Sequence, residues 1–184
     1  WTTRVLGRFY KGSDELSDQD RIGPRAWVEE ALVRGEQMEP GHPVRIGVDV
    51  GGDGDDESVI ATRCGRLVLP LQCFRKISGT RLGRRVFRRA WKLKAASIAI
   101  DMGGGWGSGC RDAVLDARRE FLRRLKQAKR TGKWTEEHAE GLRWVRELRI
   151  IGVKPTTKPK DPEKYRYRRD EIWHGAREAL NPEN

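Results

Sequence analysis

Apolar positions in this chain fall into short runs broken by glycines in its first half and into longer helical stripes in its second. Val44-Arg-Ile-Gly-Val-Asp-Val50 predicts a strand over 44–50. A turn over 51–57 leads to a second strand over 58–63, in which Val59, Ile60 and Ala61 form a continuous apolar run. Cys64-Gly-Arg66 reads as a tight hairpin turn into a third strand over 67–74. Three strands with such short connections predict an antiparallel meander. Leu82, Val86, Ala90 and Leu93 recur at helical spacing and predict a helix over 79–94. A strand over 97–101 follows. Two helices come next, at about 110–131 and at 135–147, the latter with Leu142 and Val145 facing inward. A strand over 148–153, a loop rich in Lys and Pro, and a helix over about 163–180 complete the pattern. The expectation is an α/β domain: a mixed sheet, three antiparallel strands and then parallel ones, flanked by helices.

Ahead of that pattern, residues 1–23 read as an extended arm and a polar loop. Pro24 opens a short helix with Trp27, Ala31 and Val28 toward one face, ending near Gly35. Pro40-Gly-His-Pro43 is a linker. The expected organisation is therefore an arm, helix and linker over 1–43 and a compact domain over 44–184.

Two of the strands end alike. The first delivers Asp49 into Gly51-Gly52, and the fourth delivers Asp101 into Gly103-Gly-Gly105. In open α/β sheets, sites form at the carboxyl ends of strands. Two carboxylates there suit Mg²⁺, which takes a few acidic oxygens and completes its shell with water and phosphate. Glycines beside them let a phosphate backbone approach without meeting side chains. A single Asp of this kind would be read as a turn cap; the repetition favours a metal site. Asp53, Asp55, Asp56 and Glu57 read as a solvated hairpin loop, with one of them a candidate outer-shell ligand. Trp106, set between glycines beside Asp101, is a candidate to touch substrate or line a groove; the other tryptophans read as packing residues.

Charge narrows the chemistry. The 184 residues carry 38 Lys and Arg against 27 Asp and Glu, a net charge of +11, which points to an anionic polymer or membrane surface as partner. No apolar run approaches the roughly 20 residues of a spanning helix, which weakens the membrane reading. Arg81, Arg84, Arg85, Arg88, Arg89 and Lys92 follow helical spacing opposite the apolar stripe, with no acid among them. A merely solvated face mixes signs, so these six are candidate DNA-phosphate contacts. Such contacts give affinity and register but carry no base code. The helix at 110–131 is also basic, but Asp112, Asp116 and Glu120 stand against its arginines. Three widely spaced cysteines, Cys64, Cys73 and Cys110, suit buried thiols in a reducing cytoplasm, and with the scattered His42, His138 and His174 they argue against structural zinc.

In order along the chain, Arg4-Val-Leu-Gly-Arg-Phe9, a short helix with Trp27, Ile46-Gly-Val-Asp-Val50 with Gly54-Asp-Asp-Glu-Ser-Val59, Asp101 before its glycine-rich loop, and Tyr165 leading to Arg169-Asp-Glu-Ile-Trp173 together resemble the nuclease domain of phage large terminases, the DNA-packaging motors. The resemblance covers nearly the whole chain. It implies a ribonuclease H-like fold and a two-metal-ion endonuclease using Mg²⁺ or Mn²⁺ on double-stranded DNA with little sequence preference. It further implies Asp49 and Asp101 as the first two metal-binding acids, the portal, the small terminase and an ATPase domain as partners, and the host cytoplasm as location. Three departures stand out. No Gly-x-x-x-x-Gly-Lys-[Ser/Thr] is present, so the ATPase part is expected to lie outside this chain, which begins at Trp1 without a Met. Residues of about 118–147 look like a helical insertion. The third acid, which the family usually carries on a later helix, has no matching motif before Asn184. Either it lies beyond the chain, or Asp170 or Glu171 takes its place. A junction-resolvase or integrase-type nuclease of the same fold, and a non-catalytic basic DNA-binding module, are the alternatives.

Overall fold

The computed structural model describes residues 24–52 and 56–183. The arm over 1–23, and Asp53 and Asp55 of the acidic loop, lie outside the described residues. The elements are α1 (Arg25–Glu36), β1 (Val44–Asp49), β2 (Ser58–Cys64), β3 (Leu67–Val68), β4 (Gln72–Phe74), α2 (Gly79–Lys92), β5 (Ser97–Asp101), α3 (Gly107–Arg130), α4 (Glu136–Glu147), β6 (Arg149–Val153) and α5 (Arg168–Leu180), with a 3₁₀ turn at Gly103–Gly105. By internal contacts, residues 38–157 form one compact unit, and residues 24–37 with 158–183 belong to another. This division falls elsewhere than the sequence expectation of a break after residue 43.

The larger unit holds the expected mixed sheet, in six strands rather than five. Its order is β3-β2-β1-β5-β6, with β4 also on β2. β1 and β2 are antiparallel, while β5 runs parallel to both β1 and β6. The expected third strand, 67–74, is two short pieces along one edge of β2. Pro70 lies between them; it has no N–H to give a ladder, so the strand breaks there.

On β1, β2 and β5 every second residue is buried: Val44, Ile46 and Val48 on β1, Ile60 on β2, Ile98 and Ile100 on β5. That face packs against Leu82, Val86, Phe87 and Ala90 of α2 and Cys110 and Val114 of α3. Ser78 caps α2 by accepting from the Arg81 amide. The two helices approach closely because Gly83 has no side chain: a Cβ there would fall 2.4 Å from the Cys110 carbonyl oxygen. The 118–147 segment, expected as an insertion, supplies core residues. Phe121 of α3 and Trp144 of α4 join Phe87 and Trp91 of α2 in an aromatic cluster with ring centroids 5.1–5.9 Å apart. Buried Trp144 donates its Nε1–H to the Ala95 carbonyl at 2.9 Å, so its polar edge is satisfied as its ring is buried.

α5 begins later than the expected residue 163. Asp161 organises a single turn, its carbonyl accepting from the Tyr165 amide at 3.1 Å and its carboxylate from the Lys164 amide at 3.3 Å. Tyr167 is then extended, and the helix starts at Arg168. Of the cysteines expected to be buried, Cys64 and Cys110 are, and Cys73 on the edge piece β4 is exposed. Burial pushes the Cys110 thiol up to about 11. No helix among the described residues is long and apolar enough to cross a membrane.

Candidate active site

β1 and β5 lie side by side, parallel, with Arg45 opposite Ser97 and Val48 opposite Ile100. One residue further along the same register, Asp49 stands beside Asp101. Adjacent strands lie about 4.8 Å apart, and residues level with each other on parallel strands point to the same face. Val48 and Ile100 face the helices, so the two aspartates face the other side. The sequence thus places both acids at the carboxyl end of the sheet, and the topology makes them neighbours.

Their electrostatics follow from this placement. Asp49 has its pKa pushed above the ordinary carboxylate value, first by loss of water around the crowded strand end, then by the negative charge of Asp101. A hydrogen bond with the Val50 backbone opposes the rise, and the charge of Asp56 adds to it. Two carboxylates this close repel each other, and a bound divalent cation would relieve both the repulsion and the lost hydration.

The loops that carry the acids are clamped. After Asp49, the Gly51 amide donates to Ser58 Oγ at 3.1 Å, and the Ser58 hydroxyl reaches the Gly51 carbonyl at 3.4 Å. Ser58 is buried. A Cβ on Gly51 would sit 2.6 Å from the Asp56 carbonyl oxygen, so the chain closes on itself at that point only with glycine there. After Asp101, the Gly103 amide donates to Asp101 Oδ1 at 2.7 Å, which orients the carboxylate. Gly104 and Gly105 take positive φ, and the Ser108 hydroxyl donates to the Gly105 carbonyl at 2.8 Å. Gly107, the first residue of α3, is buried so tightly that a Cβ would lie 1.9 Å from the Asp101 carbonyl oxygen. Trp106 lies between these glycines, and its indole rests against Gly52.

Asp170 and Glu171 belong to the smaller unit and are engaged locally. Asp170 Oδ2 accepts from the Tyr167 amide at 2.8 Å and caps α5. Its Oδ1 lies 3.7 Å from Arg169. Glu171 accepts from the Lys160 amide at 2.9 Å and pairs with Arg168. The Lys160 amide, more than Arg168, holds the Glu171 carboxyl below its ordinary value. Among the described residues there is no group of three or more His, Cys, Asp or Glu that could hold a metal ion.

The six expected phosphate contacts separate into two sets. Arg81, Arg84, Arg88 and Lys92 are exposed and make no ion pair among the described residues. Arg89 turns inward, donating from Nε to buried Thr62 Oγ1 at 2.7 Å. Arg85 lies over the Phe74 ring, 4.9 Å from its centroid. Both lie on the flank of α2 nearest the sheet; Arg85 is exposed like the other four, and Arg89 is half-buried. The first turn of α2 meets the first turn of α3, where a Cβ on Gly79 would be 3.0 Å from the Cys110 amide. Arg81 and Arg84 are therefore at the acid end of the sheet, and Lys92 is about 16 Å farther along the helix at 1.5 Å per residue. On α3, Arg119 pairs with Asp116 and Arg124 with Glu120, so part of its positive face is neutralised locally.

No family model matches the chain, and no characterised protein matches it in sequence. Solved structures do match. The nuclease domain of the large terminase subunit gp2 of bacterial virus Sf6 superposes with a TM-score of 0.59 at 14% identity, covering 86% of this chain and 64% of that one. A mutant of the same domain with manganese and beta-thujaplicinol gives 0.59 at 18% identity over the same shares. A mutant with calcium gives 0.57 at 15%, over 86% and 63%. The chain thus spans somewhat less than two thirds of the domains it matches. What it shares with the Sf6 terminase nuclease domain at these identities is the ribonuclease H-like fold.

Proposed function

We propose that this chain is a metal-dependent endonuclease domain that cuts double-stranded viral DNA, with little sequence preference, during genome packaging. The observation that carries the reading is the pair Asp49 and Asp101, in register at the ends of neighbouring parallel strands and on one face. The shared fold with a terminase nuclease domain, of which relatives hold manganese or calcium, supports it.

Asp49 and Asp101 would hold the metal. Two hard oxygen donors, one with its second partner already fixed by the Gly103 amide, fit Mg²⁺ or Mn²⁺ with substrate phosphate and water completing the shell. A divalent ion at such a site supplies Lewis-acid polarisation of the phosphoryl oxygen and activation of the attacking water. A second ion requires a third acid. By the resemblance, Asp170, or else Glu171, would supply it. Arg81 and Arg84, at the acid end of α2, would hold backbone phosphates and set strand position. Their contacts are to the phosphate, so they bring affinity and salt dependence rather than sequence choice. The portal, the small terminase and an ATPase domain would be the partners, in the host cytoplasm.

The test is digestion of plasmid and linear duplex with Mg²⁺ or Mn²⁺. Cleavage that Asp49→Asn and Asp101→Asn each abolish, with DNA binding retained, is the expected result. Full cutting by either variant overturns the site. Preference for four-way junctions over plain duplex would move the reading to a resolvase or integrase type. Binding without any metal-dependent nicking would leave a basic DNA-binding module.

A further inference from the structure

Trp106 is 53% exposed, although tryptophan is costly to leave in water. It is not part of the aromatic cluster of the core. It follows Asp101 by five residues, and its indole lies on Gly52, three residues after Asp49, so one ring joins the two loops that carry the acids. The contact is close: a Cβ on Gly52 would fall 2.7 Å from Cε2 and 3.0 Å from Cδ2 of the ring. The backbone beneath is fixed by the positive φ of Gly104 and Gly105 and by the Ser108–Gly105 hydrogen bond. The result is an aromatic plane seated on backbone and open to solvent beside the candidate phosphate site.

We propose that Trp106 is a nucleobase-stacking platform that positions the strand whose phosphate lies at Asp49 and Asp101. This rests on the phosphodiester reading of that pair. Every base has a π face, so stacking needs no sequence, in keeping with a sequence-tolerant enzyme. A base buried in an intact duplex has no free face, so the platform selects DNA that is single-stranded or locally unstacked. Trp106 then acts as a positioning residue, and its loss is felt in binding as well as in turnover.

The experiment is fluorescence anisotropy with Ca²⁺ in place of Mg²⁺, using labelled oligo(dT) and an abasic strand of the same length. Wild-type protein is expected to prefer oligo(dT). Trp106→Ala should weaken oligo(dT) binding on the order of tenfold, as base–aromatic stacking of about 1–3 kcal/mol implies, and leave abasic binding unchanged. Trp106→Phe should restore most of the difference. Gly52→Ala keeps the indole but displaces it, and should reproduce part of the loss even if Trp106→Ala does not fold. Equal losses on both strands, or no loss on either, overturn the proposal. Because binding is read without cleavage, a failed plasmid digestion and a failed stacking test are separate results.

Discussion

Replacing Asp49 with Asn should make the protein more stable and remove its response to divalent metal. In the folded chain the Asp49 carboxylate is crowded at a strand end and faces Asp101 across about 4.8 Å of strand spacing. Unit charges at such a separation repel by about 1 kcal/mol in water and by about 3–4 kcal/mol at an effective dielectric near 20. Asp49 is partly open to solvent, so the lower part of that range applies, about 1–2 kcal/mol. Its pKa is raised on folding. The carboxyl thus favours the native state at acid pH, and that contribution is lost as pH rises through the folded pKa. At neutral pH the ionised group is a cost that Asn does not carry. For a chain of this size each kcal/mol moves the melting temperature by about 2–4 °C, so Asp49→Asn should melt about 2–8 °C above wild type in EDTA. Saturating Mn²⁺ should reverse the order: ligand at 100 times its Kd stabilises wild type by about 2.7 kcal/mol, while the variant, with one carboxylate left, gains little. Differential scanning fluorimetry in EDTA and in Mn²⁺, at neutral pH and near pH 4, reads both effects, and the gap in EDTA should shrink at the lower pH. A variant that melts with or below wild type in EDTA, or that keeps the full Mn²⁺ shift, would refute the account of this pair.

Three further outcomes follow from the contacts. Gly107→Ala puts a Cβ where the Asp101 carbonyl oxygen lies; overpacking there should cost about 1–3 kcal/mol by urea denaturation, with cutting lost as Asp101 moves. Arg89→Ala should leave the salt dependence of DNA binding unchanged but destabilise the fold by about 1–3 kcal/mol, because buried Thr62 loses its partner; Arg84→Ala should do the reverse, lowering the slope of log affinity against log salt by about 1. For Asp170, Asn keeps an acceptor for the Tyr167 amide and Ala does not. If Asp170 completes the metal site, both variants lose cutting; if it only caps α5, Asn cuts like wild type and Ala alone loses about 1 kcal/mol of stability.

Much of the site could be read from residue order because it depends on strand periodicity. A run of alternate apolar residues fixes which end of the strand Asp49 and Asp101 occupy, and the glycines mark where each strand stops. That the two are adjacent is a matter of pairing, which depends on contacts between residues about 50 positions apart. At the border of a face, local spacing does not show which neighbours a side chain meets. Arg85 and Arg89 share the helical period of Arg81 and Arg88, yet β2 and β4 lie close enough to engage them. Trp144, read with the other tryptophans as a packing residue, packs against Phe87, Trp91 and Phe121 of two other helices, neighbours its own helix does not name. Pro70 lies inside the run that predicts a continuous strand, and its missing amide divides that edge.

The neck that Gly51 and Ser58 form below the acidic loop separates two design problems. Asp49 is held from the base of the loop, through two hydrogen bonds and a backbone contact that admits only glycine. Length and charge beyond the neck can then vary without moving the carboxylate. Segments grafted between Gly52 and Asp56 should leave the Asp49–Asp101 pair in place, whereas one methyl group at Gly51 should disturb the pair itself.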